Sequence, residues 1–259
     1  MNKRSNAPNE HSWELVLYPL PLIIFVAIWH VLTVNNPQRQ FIFSSPLQVV
    51  SAFARLQGNG ELWHHAAVTT LEAVAGFVLG TTCGALLGLC LWYAPVVARV
   101  SRPYIAALGS MPIFALAPII IVWFGIGIVS KIALAFMSTV TVAIVQSYQG
   151  AISVEQRYLR LMQVIGAKRH EIFKLVVVPS SLTWVINAMK LNIGLALLGA
   201  FIGEFISSED GLGYMIVKAS GLYDMATVIV GIVMLIVIAL ILTWLIDKLE
   251  RHLLRWQQM

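Results

Sequence analysis

Apolar residues along this chain gather into six long runs separated by polar stretches. Each run approaches the roughly 20 residues that a helix needs to cross a hydrocarbon core. The runs cover residues 15–34, 67–93, about 104–124, 130–150, 182–203 and 226–246. Pro19 and Pro21 interrupt the start of the first, and the third contains Pro112 and Pro118. The segments between the runs carry their own patterns. Residues 35–66 hold Pro37, Pro46, Gly58 and Gly60, and 45–56 predicts a short amphipathic helix starting at Ser45 with Pro46 at its first position. Residues 204–225 carry Gly211-Leu212-Gly213 and read as a loop or broken helix. In residues 151–181, Ile152, Tyr158, Leu159, Met162, Ile165, Ile172, Phe173 and Val176 recur at helical spacing, broken at Gly166. The pattern predicts an all-α integral membrane protein: a tail over 1–14 followed by one transmembrane domain over 15–259, with no soluble domain or repeat.

Composition excludes the soluble alternative. Charged residues are 11% of the chain and hydrophobic ones 59%, whereas a soluble domain carries about 25% charge to cover its core. The net charge is +5, and its placement reads as topology rather than as nucleic-acid binding. With the N-terminus on the cytoplasmic side, the inner segments hold Lys3, Arg4, Arg99, Arg102, Arg157, Arg160, Lys168, Arg169, Lys174, Lys248, Arg251 and Arg255. The outer side holds only Arg39, Arg55, Lys131 and Lys218. Cytoplasmic loops retain Lys and Arg, so six crossings with both ends inside are expected. The first run is too long, and lacks the small-residue cleavage site, to be a removable signal. Cys83 and Cys90 lie in one apolar run and read as packing residues.

Some residues call for weighing. Pro112 and Pro118 either kink a packed helix or break one that lines a path. Gly125 and Gly127 read as a tight turn. Glu72 and Lys190 are ionisable residues inside expected spans: Glu72 sits close enough to the outer end for ordinary solvation, and Lys190 faces a cavity or subunit interface, or pairs with Glu204 or Glu72. Gly76, Gly80, Gly84 and Gly88 form a small-residue stripe that lets another helix approach. His64 and His65 read as interfacial. No nucleophile–base set, no metal-ligand set and no phosphate loop is visible, so ATP hydrolysis, if it drives this protein, belongs to a partner.

The segment 151–181 is the most informative. Its apolar face has two candidate targets, the lipid interface or a groove on a partner. Gly166 allows a sharp turn between two helices, and Pro179 is expected to end the second before the fifth span. Ile165-Gly166-Ala167 followed by Pro179 resembles the coupling loop of bacterial ABC importer permeases. Ser45-Pro46-Leu47-Gln48-Val49-Val50, Met111-Pro112 through Pro118, Trp123-Phe124-Gly125-Ile126-Gly127, Ser130-Lys131-Ile132 and Gly211-Leu212-Gly213-Tyr214 resemble the nitrate/sulfonate/taurine branch of that family. Arg160-Leu161-Met162 stand where the family pattern has Glu-Ala-Ala.

The resemblance implies a permease subunit of an ATP-driven importer, in the bacterial inner membrane, not itself an enzyme and holding no cofactor. It implies a homodimer, two cytoplasmic subunits that bind ATP and Mg, and an extracytoplasmic solute-binding protein. Carried over, Arg160, Gly166, Ala167, Lys168, Arg169, Glu171, Phe173 and Pro179 belong to the ATPase-coupling loop. Met111, Pro112, Phe114, Pro118, Lys190 and Glu204 are candidates for the translocation path. A sulfonate, taurine, nitrate or a small heterocyclic precursor fits the family. The rivals are an ATPase-independent secondary transporter or channel, a membrane-embedded enzyme, and a structural subunit.

Overall fold

The computed structural model describes residues 17–254. Local signals in the sequence set most of its boundaries. Helix α1 (Leu20–Val34) follows a proline. Asn36 caps α2 (Pro37–Phe43) by accepting from the Arg39 N–H at 3.1 Å. Ser45 and Gln48 cap α3 (Pro46–Gly58) reciprocally, a capping box at the helix start anticipated at Ser45. Then come α4 (Glu61–Cys90), extended by a 3₁₀ turn to Tyr93, α5 (Pro95–Ser110), α6 (Ile113–Phe124) and α7 (Ile128–Ile152). Beyond these lie α8 (Gln156–Val164), α9 (Arg169–Ile172), a π turn over Phe173–Val177, α10 (Val178–Ile206), α11 (Leu212–Gly221) and α12 (Met225–Leu253).

The centre of the bundle is built by small residues. Gly76, Gly80, Gly84 and Gly88 turn one face of α4 onto α7, where an added Cβ would strike Ala135, Thr139, Ala143 or the Ile144 carbonyl. On a neighbouring face of α7, a Cβ at Gly199 of α10 would lie 2.7 Å from Ala135 Cα. Helix α7 is thus gripped between α4 and α10 at backbone distance. Without water to expel, membrane helices gain stability from such close packing, and the glycine stripe serves it. Asn192 of α10 crosses the same layer, donating to Thr81 Oγ1 at 2.9 Å and the Thr139 carbonyl at 3.1 Å. A second layer joins α3, α4, α10, α11 and α12 through Leu56, Leu62, Ala73, Leu197, Leu212, Met215 and Met234.

Among the described residues, four helical segments are long and apolar enough to cross a membrane: Glu61–Tyr93, Ile128–Ile152, Arg169–Ile206 and Met225–Leu253. They correspond to the expected second, fourth, fifth and sixth spans. The expected third span is a pair, α5 and α6, bent by 92° at Met111-Pro112. Met111 is extended, as a residue before proline prefers. The break therefore falls at Pro112 alone, and Pro118 sits inside α6. The expected first span appears as the 15-residue α1, with residues 15 and 16, like the tail 1–14 and Arg255, outside the described residues. The periphery is apolar throughout: Ile23 and Phe25 of α1, Val122 and Trp123 of α6, and Leu240 and Ile241 of α12 are all exposed. Such a surface suits lipid.

Two expectations need correction. Pro179 does not end a helix; Arg169–Ile206 runs on without a break. The π turn at Phe173–Val177, just ahead of Pro179, shifts the hydrogen-bond register where the ring would otherwise collide with a carbonyl. Cys83 and Cys90 are both exposed on α4 and pack no core of this chain.

Candidate functional site: the loop helix and the broken span

The two ends of the bundle differ in construction. At one, called the loop end, α8 projects between α7 and α9. The helix is stopped by Gly166 at φ +80°, with the Ala167 N–H donating to the Met162 carbonyl at 2.9 Å and the Gly166 N–H to Gln163 at 3.0 Å. This pair of bonds is a Schellman stop, and the left-handed residue it requires is glycine. Glu171 then starts α9 by accepting from the Lys168 N–H at 2.6 Å. The turn between the two helices is thereby fixed at both sides.

The faces of α8 are sharply different. Leu159, Met162 and Ala167 pack inward on Val154, Ile172 and Val177, together with Leu89 and Trp92. Tyr158, Leu161, Val164 and Ile165 point out, Val164 with 85% of its surface exposed, and Arg160 is exposed beside them. In the Arg160-Leu161-Met162 triplet, the methionine fills the chain's own core and the leucine faces away.

Three residues of this loop are engaged by groups of the chain itself, Arg169 while remaining exposed. The Arg169 guanidinium donates to the Tyr93 carbonyl at 2.8 Å and the Trp92 carbonyl at 3.4 Å, at the C-terminal end of α4. Its carbon lies 5.4 Å from the Trp92 ring and 5.6 Å from the Tyr93 ring. The Phe173 ring sits 4.6 Å from that of Tyr93. Glu171 is spent on the cap. Trp92 and Tyr93 carried no signal in the sequence, because their partners lie more than 75 positions away.

The broken span supplies a second exposed surface. Met111, Pro112, Phe114 and Pro118 are all open, while Ala117 and Ile120 hold α6 to Leu134 of α7 and Ile202 of α10.

Lys190 and Glu204 are not on that surface. Lys190 pairs with Asp247 at 2.8 Å and Glu250 at 2.7 Å, both on α12, and with neither Glu72 nor Glu204. Glu204 is 1% exposed at the opposite, far end. It accepts from the Thr69 hydroxyl at 2.6 Å and the Gly213 N–H at 2.6 Å, and a Cβ at Gly211 would collide with its carboxylate. The Gly-Leu-Gly sequence thus folds over an acidic group. Glu72, expected to be solvated, is 2% exposed, and its Oε2 lacks a hydrogen-bond partner. Lys131 is buried nearby, its ammonium held by the Ile126 and Gly127 carbonyls of the turn before α7. That turn, with Gly125 at φ +80°, is where the sequence placed it.

His64 Nε2 lies 2.9 Å from Asp210 Oδ1, with His65 alongside. The three offer a potential ligand set that the sequence did not show. The His65 Nδ1 lone pair already accepts the Gly211 N–H at 3.1 Å.

The comparisons with known proteins agree with this construction. The chain is 29% identical to a riboflavin transport system permease protein of Chloroflexus aurantiacus, over 99% of this chain and 96% of that one. It is 28% identical to a putative aliphatic sulfonates transport permease protein of Bacillus subtilis, over 92% and 86%. An inward-facing structure of the MetNI methionine ABC transporter shares the fold, with a TM-score of 0.61 and 18% identity over 74% of this chain and 94% of that one. The family of binding-protein-dependent transport system inner membrane components matches residues 77–255, from the glycine stripe of α4 through the loop helix to the end of α12, and the chain belongs to that family.

Proposed function

We propose that this chain is the permease subunit of an ATP-driven importer for a small organic or inorganic solute, crossing the inner membrane six times with both termini in the cytoplasm. The observation that carries the reading is α8: a short helix stopped at its C-terminal end by the Gly166 turn and packed on the bundle by Leu159 and Met162, with Leu161, Val164 and Ile165 exposed beyond it. An apolar edge on a rigid projection suits a partner groove better than a fluid lipid surface. The partner is an ATP-binding subunit, two of which serve a homodimer of this chain, holding the ATP and Mg for which the chain has no phosphate loop. Within the loop, Arg160, Gly166, Ala167 and Lys168 face or shape the docking surface. Arg169, Glu171 and Phe173 brace it through contacts to this chain, and Pro179 lies within the continuous helix behind it.

The basic residues support this orientation. Arg99, Arg102, Arg157, Arg160, Lys168, Arg169, Lys174, Lys248 and Arg251 gather at the loop end, as expected for the cytoplasmic side. Met111, Pro112, Phe114 and Pro118 are the path candidates, since the bent pair leaves them uncovered within one chain and available to the dimer interface. Lys190 and Glu204 act as braces beside that path. The solute reaches it from an extracytoplasmic binding protein. A sulfonate or a small heterocycle is the class suggested by relatives named for aliphatic sulfonates and riboflavin.

The test is co-purification of the detergent-solubilised chain from a host expressing its neighbouring genes. The wild type is expected to retain an ATP-binding subunit, and Leu161→Glu and Gly166→Pro to lose it, since proline cannot adopt the positive φ of Gly166. A wild type that retains no such subunit overturns the importer reading in favour of a secondary transporter.

A further inference from the structure

We propose that Arg169 is a positioning residue that locks the loop helix to the inner end of α4, so that movement of α8 is delivered through α5 to the break at Met111-Pro112. This rests on the importer reading above. Arg169 stands three residues beyond the Gly166 stop, at the start of α9, and its guanidinium reaches back to the Tyr93 and Trp92 carbonyls. Those carbonyls belong to the last turn of α4, where acceptors lack partners within the helix and a cation is favoured. The same guanidinium lies over both rings, and Phe173 closes the group from the next turn. Beneath it, Leu89 and Trp92 join Met162, Ala167 and Ile172 in one apolar cluster. Pro95 then begins α5 two residues after Tyr93, and α5, with Pro103 inside it, runs to Ser110, where the 92° break begins. The joint therefore sits where α8, α4 and α5 meet, one helix away from the path candidates.

Arginine is suited to this place. A planar fork satisfies carbonyls in its plane while its face stacks on aromatic rings, which a lysine ammonium does not reproduce. Arg169→Lys is therefore expected to behave like Arg169→Ala.

The experiment reads the break itself. In a chain carrying Cys83→Ser, Cys90→Ser and Met111→Cys, maleimide labelling is measured on the complex with its ATP-binding subunit, without nucleotide and after trapping with ATP and vanadate. With Arg169 intact, the labelling rate is expected to change several-fold on trapping. Arg169→Ala and Arg169→Lys are expected to abolish the change while the subunit still co-purifies, and Trp92→Leu, which keeps both carbonyls and removes one of the two rings, to reduce it. Preservation of the change in the Arg169 variants overturns the proposal. Release of the subunit by those variants also overturns it, because Arg169 would then be part of the docking surface. Absence of the subunit from the complex with Arg169 intact overturns the importer reading, and this proposal with it, and is recognised before any label is added.

Discussion

Thr69 and Glu204 stand 135 positions apart, and the hydroxyl of one donates to the buried carboxylate of the other at 2.6 Å. Thr69 has a second task, accepting the Leu212 N–H at 2.8 Å. One hydroxyl therefore ties the end of α10 to the start of α11 across α4. Thr69→Val keeps the shape and removes both bonds, leaving a buried carboxylate oxygen and a buried N–H without partners, at a cost of about 2–4 kcal/mol. The melting temperature in detergent should fall by several degrees. Thr70→Val, whose hydroxyl serves only the Ala66 carbonyl in its own helix, should change it little.

The grip of α4 on α7 predicts an asymmetry among glycines. Gly80→Leu must displace Phe136 and Thr139, because even a Cβ would lie 2.8 Å from the Phe136 carbonyl. Overpacking of this kind costs about 1–3 kcal/mol, and the larger side chain should lower the yield of folded protein. Gly194→Ala, in open space on α10, should be neutral or slightly stabilising. Thermal unfolding of the two side by side checks the contrast.

Adjacent residues of α8 should separate docking from folding. Met162→Ala removes part of the inner cluster and should lower the melting temperature, with a loss of about 1 kcal/mol for a half-buried side chain. Leu161→Ala removes an outward side chain and should leave melting unchanged while weakening capture of the ATP-binding subunit. Melting and co-purification, measured on both variants, give opposite orders.

Acid should loosen the far end. Burial works to raise the Asp224 carboxyl, but the Thr227 hydroxyl and N–H and the Arg55 guanidinium outweigh it and hold the group below its ordinary value. A depressed carboxylate contributes stability above its unfolded value, near 3.8, and that contribution is lost as the pH falls through the lower folded value. The pair is partly exposed, so the effect is at most about 1 kcal/mol. The melting temperature of Asp224→Asn should fall below wild type at pH 7, and the gap should narrow as the pH falls below 3.8.

What the sequence made legible was periodic or local. Four of the six expected spans, the helix start at Ser45, the Gly166 break and the glycine stripe are each written in consecutive or helically spaced residues. The partners of the charged groups were not. Lys190 reads as a lone cation in an apolar run, and nothing near it points to Asp247 and Glu250, which reach it only once α10 and α12 pack. Pro179 misled for a different reason: proline stops a regular α-helix, and the π turn over Phe173–Val177 ahead of it has no local sequence signature. Glu72 looked shallow by position along its helix, but α4 is covered there by α10 and α11.

The π turn has a mechanical consequence. By letting the helix continue past Pro179, it makes one rod of 38 residues from Arg169 to Ile206, about 57 Å long at a rise of 1.5 Å per residue. One tip of the rod lies beside the docking loop, and the other carries the acidic group folded under Gly211 and Gly213. A tilt of only about 5° about the first tip displaces the second by roughly 5 Å, one helical pitch. On the importer reading proposed above, a small displacement at the loop end would thereby be geared up into a larger one where Gly211 and Gly213 cover Glu204.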